Sequence, residues 1–492
     1  MKKIIALVLL LAMLVSVVAC TKQEETKKPS TEKTEQVSND DGDIFAERAA
    51  VADGLEDNDF GGKTFRIVTH RPQDFIVEDD QVNKGNLIKD ATADRNKRVE
   101  DRFNCKVDVV YTAGYTDMNT YASKNVLSGA DEFDLLCAHT ASVGSLVTKN
   151  LFLNWYDLPH IDFSKPWWPD DNSTELTYDG KCVVAISDFS FSSIYYSYVM
   201  FFNKTLANTY DLGNLYKLAL DGDWTYDVFY EMIKDIYIDE DGDGEKSQGD
   251  FYGYSQIHGL AVGQWLWAFD NPTTKKDEDG VPQIAVKTDK VNNIFTRIYD
   301  LLYNTQGVYY DIKDGDSGNL TNGVQMFLDR KSIFTTYIIN TALGEGLRNF
   351  EDDYGILPVP KYDENQKDYF ALPGGEHTSM VVPKTIKDKE FVGTIIEALS
   401  AESYKTIVPT FYEIALKTRY LRDNESKEVL DMIIDARTFE FGYMYGGFEG
   451  FGFMLETMMK SGSSNFESAY EKQYPKAKLH YKKVIKALDK LN

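Results

Sequence analysis

Apolar and polar positions divide the chain into three regimes. From Ile4 to Ala19 the run is apolar except for Ser16, and Lys2 and Lys3 precede it. It is too short for a comfortable membrane span and has no basic flank on its far side, so it reads as a secretory leader. Thr21 to Asp43 reverses the pattern, with Val37 as its single aliphatic residue. Such a segment buries too little apolar area to offset its ordering entropy, and it reads as a polar tether.

From Gly61 apolar residues recur at strand and helix spacings. Thr64–Thr69 reads as a strand, Leu87–Phe103 as a helix with Ile88, Ala91, Val99 and Phe103 near one face, and Val107–Tyr111 as a second strand. Met118–Leu127 reads as a helix and Asp134–Ala138 as a third strand. This β-α-β-α-β order predicts a mostly parallel sheet covered on both faces, with ligands outside the carboxyl ends of its strands. Those ends carry His70, Arg71, His139 and Thr140. A turn-rich stretch follows, containing Trp167, Trp168 and a hairpin signal at Tyr178-Asp179-Gly180-Lys181. Ile194–Asn203 reads as an aromatic strand. A second α/β pattern has helices at Thr225–Ile238 and Val291–Tyr303, then strands at Ser332–Ile339, Tyr354–Val359 and Ser379–Val382. Beyond Phe391 the pattern is mainly helical, and no repeat of solenoid length occurs.

Composition sharpens this picture in three ways. A chain of 492 residues, 43% hydrophobic and 13% aromatic, has ample material for ordered cores in about two to four domains. The net charge is −25, and removing Lys2 and Lys3 with the leader makes it −27. That balance argues against nucleic acid and anionic lipid head groups as ligands. After Cys20 only Cys105, Cys137 and Cys182 remain, an odd count that cannot form a complete disulfide framework. Each lies in or beside an apolar run and reads as a buried small hydrophobe.

The order of motifs resembles that of the extracellular solute-binding proteins of ABC importers, the sugar-binding type with a maltose-binding-protein-like fold. Val17-Val18-Ala19-Cys20 resembles a lipobox, in which Cys20 carries the lipid. Tyr198–Lys204, followed by Asp223-Trp224-Thr225 opening a helix, is similar to a family stretch, as are Met326–Ile333 and the return strand Gly355–Pro360. Asp329-Arg330 departs from the small residue usual before the lysine. The resemblance implies an α/β, two-lobe, periplasmic-binding-protein-like (type II) fold with an interlobe cleft and crossover hinge strands. It divides the chain into a signal peptide (1–20), a tether and lead-in (21–60), a first lobe (61–192 plus 355–400) and a second lobe (193–354 plus 401–492). Crossovers are expected near Ser193–Val199 and Tyr354–Leu357.

The candidate chemistry follows. Asp239, Asp241, Asp243, Glu245 and Asp250 occupy an EF-hand-like spacing around Gly244, in which alternating hard oxygens would hold a structural calcium ion. Sugars present C–H faces to aromatic rings and hydroxyls to short polar groups. Tyr195, Tyr196, Trp265, Trp267, Tyr337 and Tyr445 are therefore the candidate stacking residues, with Trp167, Trp168 and Phe448 as further aromatics. Glu376 and His377 follow a Pro-Gly-Gly turn that should reach the cleft. No H-E-x-x-H, G-x-S-x-G, Walker or paired C-x-x-C motif is present, so no enzyme is expected. With 78 carboxylates a glycosidase pair stays open. The resemblance implies a monomeric lipoprotein on the extracellular face of the cell membrane. It would capture a carbohydrate, an oligosaccharide by preference, for an ABC permease, with no cofactor beyond the calcium. A surface glycan-binding adhesion lipoprotein and an exported glycoside hydrolase are the alternatives.

Overall fold

Three parallel strands are built from the β-α-β-α-β segment: β1 (Lys63–His70), β2 (Cys105–Thr112) and β3 (Leu135–His139). The computed structural model describes residues 44–70, 87–285, 287–312, 322–343, 345–412 and 424–491, so the leader, Cys20, most of the tether and Arg71 lie outside the described residues. Strand β1 pairs with β2 along its whole length, from Lys63 opposite Cys105 to His70 opposite Thr112. It pairs with β3 through Ile67 and Val68. The far C-terminal half of β1 is buried, as expected of a strand covered on both faces. The connecting helices span Leu87–Phe103 and Tyr115–Leu127, close to the predicted bounds.

A second sheet contains β4 (Tyr198–Asn203), β5 (Tyr237–Ile238), β6 (Phe251–Ile257), β9 (Val308–Asp311), β10 (Ser332–Ile338) and β11 (Tyr354–Leu357). Its order is β11-β4-β10-β6-β5, and β9 adds to β6. Between β6 and β9, β7 (Thr274–Lys276) and β8 (Pro282–Ile284) form a separate hairpin. One strand, β12 (Thr378–Val381), returns to the first sheet and lies antiparallel on β3. Both sheets belong to one compact unit, Phe45–Asn492.

Two predicted elements change character. The expected strand at Ile194–Asn203 begins as a helical turn, Ser192–Tyr195, and becomes extended only at Tyr198. Serine hydroxyls drive this: Ser197 donates to the Ser193 carbonyl and Ser190 bonds Ser192, local contacts that favour a turn. The helix expected over Thr225–Ile238 stops at Ile233. The Lys234 and Ile236 carbonyls accept from the backbone N–H groups of Gly307 and Gly253, which draws the chain into β5.

The turn at Asp179-Gly180 is a tight hairpin with φ of +48° and +69°, a conformation that Asp-Gly is among the few residue pairs to take cheaply. Cys105, Cys137 and Cys182 are buried and form no disulfide among the described residues. Trp167 and Trp168 are core residues, and their indole N–H groups donate to the two oxygens of Glu397 at 2.9 and 3.0 Å. No described helix is long and apolar enough to cross a membrane.

Candidate functional site

The two sheets are joined where three chain segments run side by side. Tyr198 N–H donates to the Leu372 carbonyl (3.3 Å) and Gly374 N–H to the Tyr196 carbonyl (2.9 Å). Ala371 N–H donates to the Ala436 carbonyl (2.8 Å), and Thr438 N–H returns the bond to Ala371 (3.0 Å). The crossing segments are thus about residues 193–198, 371–375 and 436–440. The second expected crossover, Tyr354–Leu357, is instead β11, held inside the second sheet by its register with β4. The return to the first sheet comes later, at the Pro-Gly-Gly turn. Arg437 lies in the third segment and donates to Ser193 Oγ (2.5 Å) and the Ile434 carbonyl (2.8 Å).

Beside these segments is a patch of aromatic side chains separate from the main core: Tyr196, Tyr198, Ile257, Ala261, Val324 and Ile338 are buried, with Tyr195 and Tyr337 partly exposed against them. Tyr198 and Tyr337 meet edge to face at 6.5 Å, and Tyr195 and Tyr196 at 5.1 Å. Tyr443 lies nearby, its ring edge to face with Trp267 at 5.2 Å. Among the described residues, the Tyr443 hydroxyl, the Trp267 indole N–H and Glu456 Oε1 are buried with no hydrogen-bond partner. Buried polar groups are almost always paired, so these three atoms are candidates for ligand contact.

Two carboxyl groups complete the cluster. Glu456 comes from the helix Met454–Lys460 and rests against Gly263 of the helix Leu260–Ala268, where any side chain would overlap its Oε1. Burial pushes its pKa up to about 8. Glu376 sits on the turn before β12; it is solvent-exposed, yet surrounding protein raises its pKa, a combination that describes a group lining a concavity. Burial raises the Tyr198 and Tyr443 hydroxyls far above the ordinary range, with Glu376 and Glu456 adding to the shift. Tyr443 is positioned from behind. The Glu440 carboxylate caps its helix, accepting from Gly442 N–H (2.7 Å) and Tyr443 N–H (2.8 Å), and ties it to Thr274 of the β7–β8 hairpin (2.6 Å).

Of the candidates chosen from sequence, Tyr195, Tyr196, Trp267, Tyr337 and Glu376 fall in or beside this cluster. His70 and His139 come together at the carboxyl ends of β1 and β3, ring centroids 5.6 Å apart, with Tyr115 stacked on His139 at 4.8 Å. Burial, reinforced by His70, lowers His139 to about 4, so both rings are neutral near pH 7. Thr140 and His377 are tied to the backbone, Thr140 Oγ1 donating to the His377 carbonyl (2.8 Å) and His377 Nδ1 bonding the Gly374 carbonyl (2.7 Å), while His377 Nε2 is buried with no partner among the described residues. Trp265 and Tyr445 are core residues. The Trp265 indole donates to Gln256 (3.4 Å) among Phe229, Tyr226 and Phe269, and the Tyr445 hydroxyl accepts from Val183 N–H (3.4 Å). Sequence reading missed Tyr198, Tyr443 and Glu456. The candidate Tyr445 lies two residues from Tyr443.

In the acidic loop, carboxylate oxygens of Asp239, Asp241 and Asp243 lie within 4.8 Å of one another. Asp239 accepts from Gly242 and Gly244 N–H (2.7 and 3.0 Å), and Asp243 from Glu245 N–H (2.7 Å). Asp250 does not join them. Its carboxylate is buried and accepts from Glu240 and Ser247 N–H (3.1 and 2.8 Å) and from the Tyr252 hydroxyl (3.3 Å). The loop connects β5 to β6 as a hairpin and does not follow a helix end. Three carboxylates suit a hard cation, though with one carboxylate ligand fewer than the spacing suggested.

Two open sheets joined by three adjacent crossing segments define the type II periplasmic-binding-protein fold, and the likeness extends to solved structures. The maltose/maltodextrin-binding domain MalE from Bdellovibrio bacteriovorus, bound to maltotriose, superposes with a TM-score of 0.53 at 13% identity, over 86% of this chain and 100% of that one. A cyclo/maltodextrin-binding protein complexed with maltotetraose gives 0.52 at 13%, over 87% and 97%. The GacH receptor of Streptomyces glaucescens GLA.O, solved unliganded and with acarbose, gives 0.51 at 13%, over 88% and 100%. No family model and no curated protein matches the sequence.

Proposed function

We propose that this protein is an extracellular solute-binding protein that captures a carbohydrate, an oligosaccharide by preference, and delivers it to an ABC permease. The observation that carries this reading is the convergence, at the crossing segments, of partnerless buried Tyr443, Trp267 and Glu456 atoms with a tyrosine patch. Aromatic faces suit sugar C–H faces, and orphaned donors and acceptors suit hydroxyls. The neighbours in fold are named as sugar receptors and binding proteins, which supports capture over catalysis. Closure of the two halves about the crossing segments would let a permease distinguish the loaded form. The reading keeps the body on the outer face of the membrane through a lipid on Cys20, acting as a monomer.

A thermal-shift screen over oligosaccharides tests the reading. A ligand at 100 times its Kd adds roughly 2.7 kcal/mol to the folded state, an unmistakable rise in melting temperature. Stabilisation by peptides or other solutes, with none by any sugar, overturns it; turnover of the sugar, lost in Glu456→Gln, would make the protein a hydrolase instead. The Asp239–Asp243 loop is proposed to hold a structural calcium ion. A chelator should then lower the melting temperature of the native protein but leave that of Asp241→Asn unchanged.

A further inference from the structure

We propose that the site takes a saccharide carrying a protonated amine, held between the Glu376 and Glu456 carboxyls and the surrounding Trp267, Tyr198, Tyr337 and Tyr443 rings. The inference rests on the carbohydrate reading above and names the ligand's charge. The polar groups converging here are the carboxyls of Glu376 and Glu456, the hydroxyls of Tyr198 and Tyr443 and the Trp267 indole, set against the apolar Ile257, Ala261, Val324 and Ile338. Arg437, the base in the adjacent crossing segment, is committed to Ser193 and Ile434 and to the field of Asp188, Asp435 and Asp171. Aromatic faces present negative potential to a cation, and the attraction grows when water is excluded. A carboxyl buried among aromatic rings, as Glu456 is, is costly in its charged form unless a positive charge joins it. The empty site meets that cost by keeping Glu456 protonated, since burial holds it up to about 8. A ligand ammonium would let Glu456 ionise and accept from it at Oε1, which has no donor among the described residues. The Tyr443 hydroxyl and Trp267 N–H remain for ring hydroxyls. An anionic sugar would meet only repulsion, and the charge of −25 works in the same direction over longer range.

The experiment is calorimetry on the folded body with four trisaccharides: the glucosamine trimer with its amines protonated, its N-acetylated neutral form, maltotriose and trigalacturonate. The expected order places the amine-bearing trimer about tenfold or more ahead of its N-acetylated form, with trigalacturonate unbound. Raising the salt concentration should narrow the gap. Glu456→Gln should erase the difference while keeping neutral binding measurable, and Glu376→Gln should reduce it. Equal or weaker binding of the amine-bearing trimer overturns the inference and leaves the carbohydrate reading standing. Failure of all four to bind a correctly folded protein overturns the reading and the inference together.

Discussion

Gly263→Ala separates the two roles of the helix Leu260–Ala268, stability and recognition. Gly263 lies inside that helix at ordinary helical angles, so alanine should gain about 0.5–1 kcal/mol of helix propensity. The three atoms nearest the added methyl all belong to the Glu456 side chain, with Oε1 in overlap, Cδ at 3.1 Å and Cγ at 3.4 Å. Because that neighbour is the tip of a flexible side chain, it can swing away, and the fold should hold with an unchanged or slightly raised melting temperature. To regain ordinary contact, Glu456 Oε1 must retreat by more than an ångström. A hydrogen bond from a charged group contributes roughly 1.5–3 kcal/mol, so losing it should weaken ligand binding by about 10- to 150-fold. Calorimetric titration with the best oligosaccharide, paired with a melt of the free protein, measures both quantities. Full affinity in a normally folded Gly263→Ala protein would show that Glu456 does not touch the ligand and refute the site as described.

Three further outcomes follow from the same contacts. Tyr443→Phe removes a hydroxyl with no partner, so it should leave stability unchanged and reduce ligand affinity; Tyr445→Phe should do the reverse, costing about 1 kcal/mol in the melt with unaltered titrations. Glu456 and Glu397 both have folded pKa values raised to about 8 from 4.5, so the folded state binds more protons than the unfolded one; stability of the ligand-free protein should fall as pH rises from about 5 to 8, and Glu456→Gln should flatten part of that fall in a pH series of melts. Gly144→Ala places a methyl into the Tyr445 and Gly446 backbone, which cannot swing aside, and should cost about 1–3 kcal/mol in chemical denaturation.

Much of the scaffold was legible in the chain itself. Strand periodicity located β1, β2 and β3 to within a few residues, because buried parallel strands demand apolar runs and their connecting helices demand a recurring face. The Asp-Gly hairpin was legible because few residue pairs tolerate two positive φ values. The order of motifs resembled a binding-protein fold, and that is the fold found. Less legible were choices decided by competition between local and distant bonds. Serine hydroxyls turned Ser192–Tyr195 into a helix, and distant glycine N–H groups ended the helix at Ile233.

The site itself was only half visible. Any sequence with many aromatics offers stacking residues, and nothing local separates Tyr443 from Tyr445 in Phe441–Tyr445. Packing separates them: the Tyr445 hydroxyl faces Val183 in the core, whereas Tyr443 turns toward Trp267 and Gly375. Glu456 reads in sequence as the polar side of a short amphipathic helix. It becomes part of a site only because Gly263, nearly two hundred residues earlier, presents bare backbone to its carboxyl. The sequence by itself determined the parallel strands of the first sheet, the Asp-Gly turn and the supply of acidic and aromatic residues, since those depend on neighbours along the chain. Tertiary structure alone decided which polar atoms were left without partners, because that depends on which distant segments meet.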